Sequence, residues 1–226
     1  MKLAVKYLPG CGGEFILSLI SAIIDDKPFD LNEKNHYDCT QFGCGHQGFS
    51  KFFQKVHLTS RPDYASLVSD SAGKNNYVEK DNIFKHYDRI TLHQWSLNIM
   101  AEMQYRNFNN ILVIKDSDDR GKILAKAKLG TLVGVSDMPE KEWDNYLYNK
   151  MKSHSERKGL YDYAERAFNV TYVTYESLYN NAFEETQAII KNFCDVEIDE
   201  THYELIRKYY EKNQSIIDSY LSNRTS

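Results

Sequence analysis

Three times along the chain a short β-rich run gives way to a turn and then to a helical pattern, and this alternation limits the available folds more than any other feature. The first unit is "KLAVKYL" (residues 2–8), a glycine turn, and "GEFILSLISAII" (13–24), whose apolar density predicts a mostly buried helix ended by "DDKP". The second lies in "NNILVIKDSDDRGKILAKAKLG" (109–130): an unbroken β-rich run, an acidic turn with serine and aspartate caps, then a helix with lysines near its end. The third is "NVTYVTYESLYNNAFEETQAIIKNFCDV" (169–196). Strands alternating with helices predict a mainly parallel sheet covered on both faces, an α/β fold of three layers, α/β/α.

Elsewhere "RITLHQW" (89–95) alternates as a strand, and "SLNIMAEMQYR" (96–106) carries the helical period. Residues 140–167 read as one or two amphipathic helices broken near Gly159, and "THYELIRKYYEKNQSIIDSYLS" (201–222) as a last amphipathic helix. Its tyrosines suit a partner surface or simply one packed face. Residues 25–80 show no clear period and read as loops with short helices, with "VHLTS" (56–60) a brief strand and "RPDYASLVSD" (61–70) a short helix. The 226 residues contain no internal repeat or linker, so a single domain is expected, with 25–80 a loop-rich lid or acceptor-binding insertion.

Charge and cysteine usage narrow the function classes. With 28 basic against 32 acidic residues the net charge is -4, which argues against coating nucleic acid through bulk attraction to phosphates. No stretch has the apolar length of a membrane span, and the N-terminus lacks the pattern of a secretory leader, so neither a membrane nor a nucleic-acid partner is expected and the location reads as cytoplasmic. Cys11, Cys39, Cys44 and Cys194 are too few and too uneven for a disulfide framework. His36, Cys39, Cys44 and His46 in "HYDCTQFGCGH" are metal-ligating types without the spacing of a zinc finger. That segment reads instead as a loop over the site, and no metal is expected.

The turn "YLPGCGGEFI" (7–16) carries most of the chemistry. Glycines between a parallel strand and its helix let the backbone approach a ligand closely, and the helix N-terminus offers unpaired N–H groups and partial positive charge to an anion, most often phosphate. Packing alone is the competing explanation. The pattern G-x-x-x-x-G-K-[ST] is absent: no Lys-Ser or Lys-Thr pair follows the glycines, so the lysine and magnesium-holding hydroxyl of an ordinary ATPase or kinase are missing.

In this turn the chain resembles the sulfotransferases that use 3′-phosphoadenosine-5′-phosphosulfate (PAPS), whose loop typically reads Y-P-K-S-G-T-T-W-L. Pro9 matches the proline, Gly12 the glycine, and Phe15 and Ile16 the aromatic-aliphatic pair; Gly10 stands for lysine, Cys11 for serine, and Gly13 and Glu14 for the threonines. Tyr175, Glu176 and Leu178 are similar to the family's late Tyr-Glu-x-Leu. "NILVIKDSDD" looks like the strand ending in Arg-x-Pro-x-Asp, with Lys115 at the position of the arginine that grips the 3′-phosphate and Asp119 at the final aspartate. The family's helix serine is replaced by Ile123, and Arg120 and Lys122 are the substitutes on offer.

The resemblance implies a P-loop-like sulfotransferase architecture and sulfuryl transfer from PAPS, without a metal, to a hydroxyl or amine on a small-molecule, glycan or peptide acceptor. It implies binding of the 5′-phosphosulfate by Pro9, Gly10, Cys11, Gly12, Gly13, Glu14 and Phe15. The family's base is a histidine at the end of the strand before the 3′-phosphate strand; His93 sits there, and an imidazole suits the task. His57 in "KVHL" is the rival base and Glu14 a third candidate. The alternatives are a non-catalytic binding protein on the same fold and a divergent P-loop nucleotide kinase.

Overall fold

The structure is a computed structural model, and it describes residues 1–8, 10–29, 31, 44–47, 87–92, 97–115, 119–129 and 158–223. Five strands form one sheet: β1 (Leu3–Lys6), β2 (Cys44–Gln47), β3 (Arg89–Leu92), β4 (Asn110–Lys115) and β5 (Asn169–Thr174). Their order is β2-β3-β1-β4-β5 and every pairing is parallel, with Val5 opposite Thr91 on one side and Leu112 on the other. The helices are α1 (Gly13–Ile24), α2 (Leu97–Tyr105), α3 (Asp119–Leu129), α4 (Lys158–Ala167), α5 (Tyr175–Tyr179), α6 (Phe183–Cys194) and α7 (Glu200–Ser222).

Strand residues alternate between two cores. Leu3, Val5, Leu112, Ile114 and Val173 pack against α1, α3, α5, α6 and α7, whereas Ala4, Ile90, Leu92, Ile111 and Val113 pack against α2 and α4. Helices thus cover both faces, the three-layer α/β arrangement that alternation predicts. The central strand β1 is buried throughout, which is why "LAVK" carries so little polar character. α1 is as apolar as its surroundings require: Phe15, Ile16, Leu17, Leu19 and Ile20 are all fully buried. It ends at Asp25, whose carboxylate accepts two hydrogen bonds from the Arg89 guanidinium, at 2.7 and 2.6 Å.

One reading is corrected. Within 25–80, expected to be loops and short helices, Cys44–Gln47 is a strand on the sheet edge, paired to β3 with His46 opposite Thr91. "CGHQ" has no β-branched residue, and the pairing comes from the backbone of β3 rather than from local preference. Gly159 stands in the first turn of α4, which begins at Lys158, and the residues before it on which the expected break depends lie outside the described residues. The brief strand at 56–60 and the short helix at 61–70 lie outside the described residues.

No helix among the described residues is long and apolar enough to cross a membrane.

Candidate functional site

Because all strands are parallel, the carboxyl ends of β1, β3, β4 and β5 share one edge of the sheet. The chain crosses at β1, with β3 and β2 on one side and β4 and β5 on the other, and such a reversal leaves a crevice at the carboxyl edge.

The β1–α1 turn stands at that crevice. Gly10 and Gly12 are both left-handed, at φ 90° and 82°, a conformation that glycine adopts without steric cost. Gly12 is the N-cap of α1 and brings no side chain to cap it. The amides of Gly13, Glu14 and Phe15 therefore open the helix with no acceptor inside it, and Glu14 adds a carboxylate to the first turn.

The glycines also answer a packing demand. A β-carbon on Gly12 would lie 2.7 Å from the Tyr179 hydroxyl and 2.8 Å from Tyr209, and one on Gly13 would lie 2.2 Å from the Tyr7 ring. Tyr179 donates its hydroxyl hydrogen to the Gly12 carbonyl at 2.8 Å, and burial pushes its phenol well above the ordinary range, keeping it a donor. Tyr209 lies parallel to Phe15, with ring centroids 4.0 Å apart. The late Tyr-Glu-x-Leu segment supplies Tyr179 and α7 supplies Tyr209, so distant parts of the chain converge on the turn. On α7, Tyr209 and Tyr210 are buried and Tyr203 packs against the same core.

α3 lies across the same turn through residues spaced as one helix face. Cys11 donates its thiol hydrogen to the Gly121 carbonyl at 3.2 Å, the Ala125 backbone would lie 3.3 Å from a Gly10 β-carbon, and Lys128 donates to the Gly10 carbonyl at 3.2 Å. The Lys128 ammonium also reaches the Tyr209 hydroxyl at 3.4 Å and sits 5.3 Å from that ring's centre. Burial pulls its amine down to about 8, and Lys212 pushes the same way against Cys11 and Glu14.

Two more cations end adjacent strands on the opposite face. Lys6, 4% exposed at the end of β1, lies 5.9 Å from the Tyr161 ring centre. Lys115, exposed at the end of β4, lies 4.7 Å from that of Tyr172. Arg120 is exposed in the first turn of α3, where Lys122 pairs with Asp119 at 3.4 Å.

The predicted set is thus divided. Gly10, Cys11, Gly12, Gly13, Glu14 and Phe15 form the turn, with Cys11 and Phe15 buried. Lys115, Arg120 and Lys122 stand at and just beyond the end of β4. Pro9, His93, His57, His36 and Cys39 lie outside the described residues, and Cys44 and His46 are described by their backbone in β2. Among the described residues no group of three metal-ligating side chains comes together.

Sequence reasoning missed Lys6, Lys128, Tyr7, Tyr179 and Tyr209. The lysines at the end of α3 are visible in "LAKAKLG", but they read as partners of the helix dipole. Comparison of the chain with models of known families, with curated proteins and with solved structures finds no match. Its chemistry is read from the site.

Proposed function

We propose that the chain is a sulfotransferase of P-loop-like architecture, binding PAPS along the carboxyl edge of the sheet and passing its sulfuryl group to a hydroxyl or amine acceptor. The observation that carries this reading is the left-handed glycine turn at the carboxyl edge of the sheet with the Lys128 ammonium on its Gly10 carbonyl, while Lys6 and Lys115 end β1 and β4 on the other face, in a chain whose net charge is -4. Phosphate and sulfate groups are met by individual cations and main-chain amides, and a bulk basic surface is not required for this.

In this reading the α1 amides and the turn hold the 5′-phosphosulfate, while Lys115 and Arg120 meet the 3′-phosphate. The acceptor oxygen or nitrogen attacks sulfur, the bond from sulfur to the phosphate oxygen breaks, and His93 takes the acceptor's proton. Adenosine 3′,5′-bisphosphate leaves. Catalysis by alignment and charge stabilisation needs no metal.

Titration calorimetry with adenosine 3′,5′-bisphosphate tests the reading. Micromolar binding is expected, together with loss of sulfuryl transfer from PAPS in His93→Ala; an unchanged rate in that variant removes His93 from the mechanism.

One observation favours a second reading, a non-catalytic binding protein on the same fold. Tyr7, Tyr179 and Tyr209 account for Gly12 and Gly13 by packing alone. No heat of binding up to millimolar bisphosphate would decide for it.

A further inference from the structure

We infer that Lys128 is the cation of the phosphosulfate end of this site, delivered across the β1–α1 turn by α3 rather than from within the turn itself. The inference rests on the nucleotide reading above and adds a residue to it.

A turn that binds a nucleotide's terminal phosphate through main-chain amides ordinarily adds a lysine, because amides bring partial charges and no net charge. Here no lysine stands in the turn, and Gly10, left-handed at φ 90°, brings no side chain. The space beside Gly10 is filled from outside: a β-carbon there would lie 3.4 Å from Lys128 Cδ and 3.5 Å from Lys128 Cβ. The methylene stem of Lys128 thus runs alongside the turn, and the ammonium arrives at the turn's own carbonyl.

The surroundings suit an exchange of partners. Among the groups that hold Lys128 are a neutral carbonyl and a phenol at 3.2 and 3.4 Å, weaker acceptors for an ammonium than phosphate oxygens. Its four-carbon stem lets the ammonium swing from the Gly10 carbonyl toward an anion seated on the α1 amides. Groups that face it are Cys11 from the turn, Glu14 from α1, and Tyr209 and Lys212 from α7. An amine already drawn down to about 8 by burial gains more from a bound anion than an exposed lysine would.

The test compares the wild-type chain, Lys128→Met and Lys128→Arg by calorimetry with two probes, adenosine 3′,5′-bisphosphate and adenosine 3′-monophosphate. The second probe lacks the group that Lys128 is assigned to meet. Lys128→Met is expected to weaken the bisphosphate about ten- to a hundredfold, the range of a charge-assisted hydrogen bond, and to leave the monophosphate unchanged. Lys128→Arg is expected to restore most of the loss.

Equal weakening of both probes, or of neither, overturns the inference while the nucleotide reading stands. Absence of bisphosphate binding by the wild-type chain overturns both. Should Lys128→Met fail to fold, the pH dependence decides between wild type and Lys128→Arg. The preference for bisphosphate over monophosphate is expected to fall in the wild type as pH rises through about 8, where Lys128 loses its proton, and to stay level in the arginine variant. Parallel pH profiles would overturn the inference.

Discussion

Gly13 and Gly12 are the positions where a single methyl group is felt most. A β-carbon at 13 would sit 2.2 Å from the ring of Tyr7, itself buried against the core, and one at 12 would meet two buried tyrosines while holding a left-handed backbone. Overpacking costs about 1–3 kcal/mol and a left-handed non-glycine residue about 1–2 more. Gly13→Ala and Gly12→Ala should each lower stability by about 2 kcal/mol or more in urea denaturation; an unchanged midpoint would mean that the tyrosines can retreat freely. The need for glycine was legible in "PGCGGE", but its tyrosine partners were not, because sequence spacing does not tell which side chain arrives from elsewhere. Lys128 was hidden for the same reason, since the carbonyl it holds lies 118 residues away. Cys11 could be placed in the turn and not oriented; its thiol faces Gly121.

Elements were readable where local preference and tertiary demand agree. The apolar run 13–24 is α1 itself, and the last amphipathic period is α7 with one residue added at its start. β2 was unreadable because its strand character comes from pairing alone. α5 shows how a short element is held: the Thr174 hydroxyl accepts from the Ser177 amide at 3.0 Å, and the Ser177 hydroxyl accepts from the Thr174 amide at 2.8 Å. A helix of five residues has little cooperativity of its own, so this reciprocal cap and the burial of Tyr175, Leu178 and Tyr179 sustain it. Thr174→Ala is expected to cost about 1 kcal/mol and Thr174→Ser much less, by chemical denaturation. Because Tyr179 of α5 holds the Gly12 carbonyl, the alanine variant should also hasten hydrogen exchange at the start of α1.

Across the whole molecule, buried phenols dictate the response to alkali. Burial is the largest cause of the raised values of Tyr172, Tyr175, Tyr179 and Tyr210, the last pushed up to about 12, and of Cys194, also about 12. The folded chain then holds protons that the unfolded chain releases, so their stabilisation is complete below the ordinary values, 10.0 for the tyrosines and 9.0 for the cysteine, and is lost as pH rises from there through the raised values. Lys128 acts in the opposite sense: its amine is lowered from 10.5 to about 8, and stability rises with pH between those values. Stability should crest between about pH 8 and 10, and these four phenols should ionise only as the chain unfolds, followed by tyrosinate absorbance against circular dichroism. Ionisation of all tyrosines with the fold intact would contradict the burial. The hydrogen bond from Tyr179 to Gly12 spans 167 residues, and Tyr209 enters from farther still along the chain. A nascent polypeptide emerging from the ribosome would expose its first turn long before the segments that close over it are made, so the site is assembled last although its opening glycines are synthesised first.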